Sequence, residues 1–336
     1  MRLDALLQRV WYQPHPLARL LAPLGWLYAA LVLLRRAAYR SGLLPTVAAG
    51  VPVVVVGNIT AGGTGKTPVV VWLAGYLRAC GWRPGIVCRG YGGSARRWPQ
   101  QVRADSDPHA VGDEAVLLAR RTGCPVIACG PRRLHAVREL VRHGNCDLVI
   151  SDDGLQHLRL ARDVEIAVID AERRHGNGRC LPAGPLREPA SRLHCVDLVI
   201  ANGAAQRGEF AMALVPGPAV RLDDPGQRAA LASFAGSTVH AVCGIGNPRR
   251  FFAMLQAHGL ALIEHALPDH HRFSAPDVDF DDALAVFMTE KDAVKCRGFA
   301  SDRHWYVPVS AQLPDAFCTR LERLLGEAPG TPAVSA

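Results

Sequence analysis

Hydrophobic positions in this chain fall into short unbroken runs, with longer stretches of helical period between them. Val51–Val56 (VPVVVV) is almost wholly β-branched, which predicts a strand buried on both faces of a parallel sheet. It ends at Gly57, passes a glycine-rich loop and re-emerges as PVVVWLAGYLRACG, a helical pattern stopped by Gly81. Further apolar runs predict strands at Gly85–Cys88, Pro125–Cys129, Asp147–Ser151, Glu165–Asp170 and Asp197–Asn202, with helices at Asp113–Arg121 and Arg132–His143. Strand–helix alternation at this spacing predicts a doubly wound parallel α/β sheet with ligands at its carboxyl edge. The texture loosens after Gly203, and VHAVCGIGNPRRFFAMLQAHG (Val239–Gly259) starts a second, smaller α/β unit. The expected division is 1–45 as an N-terminal segment, 46–205 as the core domain, 206–330 as the second domain and 331–336 as a disordered tail.

The N-terminal segment breaks this pattern. Leu20–Leu34 runs for 15 residues without a charge and then meets Arg35 and Arg36. As a helix it reaches roughly 22 Å, short of the ~30 Å of a bilayer's hydrocarbon core. Pro23 and Gly25 would bend the helix or delay its start. A spanning helix, a signal peptide and a helix buried on the protein's own core remain alternatives. The favoured reading is a monotopic helix in the membrane interface, with Trp26 and Tyr28 at headgroup depth.

Charge changes the picture more than composition does. The chain has 336 residues, 49% hydrophobic and 20% charged, which fits a globular protein with a sizeable core. Its formal net charge is +8, and residues 1–45 contribute six arginines against the single acid Asp4. Basic charge beside apolar sequence points to anionic lipid headgroups. The aromatic-interleaved platform of a nucleic-acid binder is absent, and no protein partner is evident. None of the ten cysteines forms a CxxC pair, which suggests a reducing cytoplasmic compartment and no zinc site.

The candidate chemistry starts at TAGGTGKT, comprising Thr60, Ala61, Gly62, Gly63, Thr64, Gly65, Lys66 and Thr67. Successive glycines let backbone N–H groups face phosphate oxygens, Lys66 would reach the β- and γ-phosphates of ATP, and Thr67 would ligate Mg2+. The general template wants glycine where Thr60 stands. SDDGLQH (Ser151–His157) ends a strand, so Asp152 or Asp153 would hold the metal, with a turn or cap acid as the alternative. Asp113 in GDE is either a helix cap or a general base toward a hydroxyl. PDHHRF supplies His270 and His271, a surface pair or an aid to a carboxylate base. Arg187 in GPLREP is a plausible phosphate clamp. TEKDAVKC (Thr289–Cys296) reads as a guanine-recognition fragment or a capped helix start.

Taken in order, VGNITAGGTGKTP, CRGYGG, VGDEAVLLA, SDDGLQH, LPAGPLREP, GIGNPRRFF, LPDHHRF and MTEKDAVK cover nearly the whole chain. This set resembles the tetraacyldisaccharide 4'-kinase family of Gram-negative bacteria. The resemblance implies transfer of the ATP γ-phosphoryl group to the 4'-hydroxyl of a lipid A disaccharide 1-phosphate, giving lipid IVA. It also implies a location at the cytoplasmic face of the inner membrane. By the same resemblance Asp113 is the base, assisted by His270 or its neighbour His271. Lys66, Thr64 and Thr67 serve ATP and Mg2+, Asp152, Asp153, Gln156 and Glu188 surround metal and substrate, and Arg187 faces the phosphates. The Thr60 departure is shared with that family. The rival readings are a phosphate-loop GTPase or metallochaperone switch with no small-molecule acceptor, and a peripheral lipid-binding protein.

Overall fold

A computed structural model describes residues 3–328. The N-terminal segment folds as three helices, α1 (Leu3–Tyr12), α2 (Pro16–Leu20) and α3 (Ala22–Arg40). The core then follows as β1 (Val53–Gly57), α4 (Lys66–Ala79), β2 (Pro84–Cys88), β3 (Gln100–Val102), α5 (Pro108–Val111), α6 (Asp113–Thr122), β4 (Val126–Ala128), α7 (Arg133–His143), β5 (Leu148–Asp152), β6 (Val164–Asp170), β7 (Leu198–Asn202) and β8 (Phe210–Pro216). The second unit holds β9 (Ala219–Arg221), β10 (Arg228–Ala229), β11 (Thr238–Cys243), α8 (Pro248–Ala257), β12 (Ala261–Ala266), β13 (Val286–Thr289), α9 (Glu290–Cys296) and β14 (His304–Val307). The chain then returns to the core as β15 (Val309–Gln312) and α10 (Asp315–Leu325).

The larger sheet has nine strands in the order β15-β8-β7-β6-β1-β5-β2-β4-β3, antiparallel only at its two edge pairings. Val53–Val56 is fully buried, and its side chains alternate between two cores. Val54 and Val56 join the core formed with α4, α6 and α10, while Val53 and Val55 face α7. That two-sided burial is why the strand reads as an unbroken apolar run. The smaller sheet has six strands, β10-β9-β14-β13-β11-β12, around its own cores.

The sheets do not divide at the expected residues 205/206 and 330. Phe210–Pro216 pairs with β7, and Val309–Gln312 pairs antiparallel with Phe210–Pro216, so both strands belong to the larger sheet. The chain crosses at Gly217–Pro218 and again at Pro308, where Gly217 N–H donates to Pro308 O at 2.8 Å. Residues 313–325 were expected in the second unit, but α10 buries Phe317 and Leu321 in the α4 core. The second crossing was invisible to a linear reading because the returning strand is four residues long and lacks a glycine break. The expected tail at 331–336 lies outside the described residues.

Pro23 stands in the first turn of α3, where its missing N–H costs nothing, so the helix begins there without a kink. One flank of α3 is exposed: Leu24, Trp26, Leu27, Leu31 and Leu34 are each more than half accessible, as is Leu20 at the end of α2. Among the described residues no helix is long and apolar enough to cross a membrane. Tyr28 departs from its expected place beside Trp26. Its ring is half-buried and its hydroxyl donates to Arg187 O at 3.1 Å, because the helical period turns it toward the protein.

Candidate active site

The carboxyl ends of β1, β5, β2, β6 and β7 converge on a cavity of about 720 Å³, closed from the other side by loops of the smaller sheet. Ala61–Thr67 lines it, followed by α4, whose first residue is Lys66. Lys66 Nζ donates to Asn58 Oδ1 at 3.2 Å and lies 3.4 Å from Asp153 Oδ1. Asn202 Nδ2 donates to Thr64 O at 3.1 Å, tying the loop to the end of β7. Thr60 is buried and does not line the cavity. It forms a backbone bridge to Leu186, so this position anchors the loop.

Asp152 ends β5, Asp153 follows it, and the two serve differently. Asp153 pairs with Arg187 Nη1 at 3.2 Å as well as with Lys66. Burial alone would raise its pKa, but Lys66 and Arg187 outweigh burial and hold Asp153 near 2. Asp152 is pushed well above the usual carboxylate range by burial, then by the negative charge of Glu114. Beneath the turn, the buried Arg133 donates from Nη1 to Ser151 Oγ at 2.6 Å and to Asp152 O at 2.8 Å.

Asp152 Oδ1 and Thr64 Oγ1 are buried without hydrogen-bond partners. Hard oxygen donors with one or two carboxylates suit Mg2+, which completes its shell with phosphate oxygens and water. Among the described residues no group of three or more His, Cys, Asp or Glu side chains forms a metal site, and a nucleotide-bound Mg2+ needs none. Gln156 and Glu188 are not brought to the cavity. Gln156 Nε2 donates to Glu188 Oε1 at 2.7 Å and to Asn58 O at 3.1 Å, while Glu188 Oε2 lies 3.3 Å from Arg192 Nε. A carboxylate only 3% exposed must be paired, and here the pairing is internal, so both residues buttress the loop instead of facing a metal.

Asp113 begins α6, and its Oδ1 accepts the N–H of Glu114 at 2.8 Å. The other oxygen lies 3.6 Å from His270 Nδ1 and 3.5 Å from Lys295 Nζ. Burial opposes ionisation of Asp113, but His270, Lys291 and Lys295 together hold it far below the usual carboxylate range. His270 and Glu114 line the cavity, with Asp113 just behind them. His271 points elsewhere, 3.2 Å from Asp277, so His270 is the histidine paired with Asp113. His270 adopts φ +58°, and its ring packs against Tyr91 with centroids 4.5 Å apart.

Several residues here escaped the sequence reading. Lys291 Nζ pairs with Glu114 at 3.0 Å, and Lys295 reaches Asp113. Both come from the TEKDAVKC helix, where their i, i+4 spacing could have signalled one shared face. Asn58, Tyr91 and Asn202 carry no such signal. The same helix disposes of the guanine reading. Thr289 caps α9 by accepting Asp292 N–H at 3.2 Å, and the fully buried Asp292 accepts from Thr289 Oγ1 and Gly244 N–H. Asp292 is therefore committed to holding the strand β11 turn.

The smaller unit touches the phosphate loop directly. A Cβ added to Gly246 would lie 2.8 Å from Gly63 N, so only glycine permits this approach. Arg173 donates to Gly246 O at 2.8 Å, Arg250 lies 3.3 Å from Asp170, and Arg121 lies 2.6 Å from Glu290.

Comparison with known proteins finds relatives over nearly the whole chain. The chain is 52% identical over 325 residues to a tetraacyldisaccharide 4'-kinase of Nitrosococcus oceani, covering 97% of this chain and 96% of that one. It is 54% identical over 309 residues to the Alkalilimnicola ehrlichii protein of that name, covering 92% of each. Among solved structures, LpxK from Aquifex aeolicus in complex with ATP superposes with a TM-score of 0.76 at 25% identity, over 92% of this chain and 99% of that one. The family model described as tetraacyldisaccharide-1-P 4'-kinase matches residues 17–326, and the chain belongs to that family.

Proposed function

We propose that this protein transfers the γ-phosphoryl group of ATP to the 4'-hydroxyl of a tetraacyldisaccharide 1-phosphate. The observation that carries this reading is the juxtaposition, across one cavity, of a phosphate-binding loop on one sheet and the Asp113–His270 pair bridging both sheets.

A sugar hydroxyl is a weak nucleophile, so positioning and late proton removal supply most of the catalysis. The 4'-oxygen would attack the γ-phosphorus in line, its proton would pass to the Asp113 carboxylate, and ADP would leave. His270 would hold the free oxygen of Asp113, and Lys291 and Lys295 would keep it ionised until the hydroxyl arrives. Lys66 and Arg187, now paired with Asp153, would turn to the phosphate oxygens as charge develops there. Mg2+, held by Thr67 and Asp152, would neutralise β- and γ-phosphate charge. Because His270 and Asp113 sit on different units, separation of the sheets at Gly217 and Pro308 would admit the acceptor, and closure would exclude water.

The acceptor's acyl chains keep it in a bilayer. The leucines and Trp26 on the exposed flank of α3, followed by Arg35, Arg36 and Arg40, suit a monotopic seat on an anionic surface at the cytoplasmic face of the inner membrane. The test of the whole reading is γ-labelled ATP with the disaccharide lipid. Label in the lipid is expected; labelled free phosphate with unlabelled lipid would instead favour a nucleotide switch.

A further inference from the structure

Tyr28 lies between the exposed Leu27 and Leu31 in sequence, yet its hydroxyl turns inward and donates to Arg187 O at 3.1 Å. One turn earlier, a Cβ on Gly25 would meet Cys180 O at 3.0 Å and Ala183 Cβ at 3.1 Å, so the α3 backbone lies directly against the segment leading to Arg187. Further bonds bind that segment to the N-terminal helices. Trp11 Nε1 donates to Pro182 O at 3.1 Å, and Asn177 Nδ2 donates to Val10 O at 3.1 Å.

The other side of the segment is tied to the phosphate-binding loop. Arg187 N–H donates to Ile59 O and Ala61 N–H to Pro185 O, both at 2.7 Å. From the Arg187 side chain the polar contacts continue to Asp153 at 3.2 Å and from there to Lys66 at 3.4 Å. One face of α3 is thus open to a surface, and the other is bonded to a strap that carries Arg187, whose side chain pairs with Asp153.

We propose that Tyr28 is a positioning residue for Arg187, through which the seating of α3 on an anionic bilayer is coupled to the affinity of the phosphate-binding loop for ATP. This rests on the membrane and Arg187 roles proposed above. A bilayer that fixes the angle of α3 selects one position of the Arg187 carbonyl, and so favours one disposition of the Arg187–Asp153–Lys66 group. Such coupling is reciprocal: whatever factor the bilayer applies to nucleotide affinity, the nucleotide applies to bilayer affinity.

The experiment uses the full chain, a nonhydrolysable ATP analogue, and phosphatidylcholine vesicles containing phosphatidylglycerol but no acceptor lipid. Sedimentation reports vesicle binding, and analogue titration reports nucleotide affinity. Vesicles are expected to tighten the analogue by about threefold or more, and saturating analogue to tighten vesicle binding by the same factor. Tyr28→Phe, which removes only the hydroxyl, should still sediment with vesicles but lose the mutual effect, and Arg187→Gln should lose it too. Full retention of the factor in either variant overturns the inference, as does wild-type chain that sediments without any change in analogue affinity. Failure of the wild-type chain to sediment would sink the membrane reading itself, which is a separate observation.

Discussion

Asp113 and His157 show how surroundings set two titrations in this molecule. Asp113 is kept ionised by His270 and two lysines against the cost of burial, so at neutral pH it is ready to accept a proton. Asp113→Asn should lower kcat by about 10²–10⁴-fold with little change in the ATP KM, the range for loss of a positioned base. His270→Ala should give a smaller loss of the same kind, and steady-state kinetics with labelled ATP reads both. His157 behaves oppositely to a paired histidine. Burial, followed by the charges of Arg133 and Arg162, lowers it from 6.5 to about 4, and its Nε2 is buried without a partner. The unfolded chain therefore binds the proton first. Stability from this group is complete above about pH 6.5 and is lost as pH falls toward about 4. Denaturant midpoints across that window should slope less steeply with pH in His157→Gln than in the wild-type protein.

Among elements, the loop after β11 decides whether the two units can meet. Gly246 lies against the Gly63 backbone, and Arg173 holds its carbonyl. Gly246→Val would force the backbones apart. We expect at least a tenfold loss of lipid phosphorylation, with a melting temperature within a few degrees of wild type because neither core is touched. A variant with full turnover would show that this contact plays no part in closure. The helix α9 carries the complementary lesson. Thr289 and Asp292 build its start, and only then do Lys291 and Lys295 face Asp113 and Glu114. The cap motif and the face that meets Asp113 and Glu114 share seven residues, and the sequence displays the face only as the i, i+4 spacing of two lysines.

For the whole molecule, the asymmetry of the N-terminal segment predicts how it finds its substrate. Replacing Leu27, Leu31 and Leu34 with glutamate removes exposed apolar area, worth about 1.5–3 kcal/mol per side chain once buried in lipid. It leaves the buried Ala22 and Gly25 contacts alone. The triple variant should stay folded by circular dichroism but no longer sediment with anionic vesicles, and replacing Arg35, Arg36 and Arg40 should weaken sedimentation most at low salt. Local chemistry was legible in the chain itself: the β-branched run of β1, the phosphate loop and the carboxylates after β5 each depend on neighbours in sequence. Their order along the chain sufficed to place it in a kinase family. Contacts between distant residues were not legible, because periodicity says which face of an element is apolar and not what will lie on it. The return of β15 and α10 to the first sheet, the internal pairing of Gln156 with Glu188, the inward turn of Tyr28 and the choice of His270 over His271 were all decided by packing. The return follows from burying Phe317 and Leu321 against α4, and the Gln156 and Tyr28 contacts from polar groups that need partners once buried.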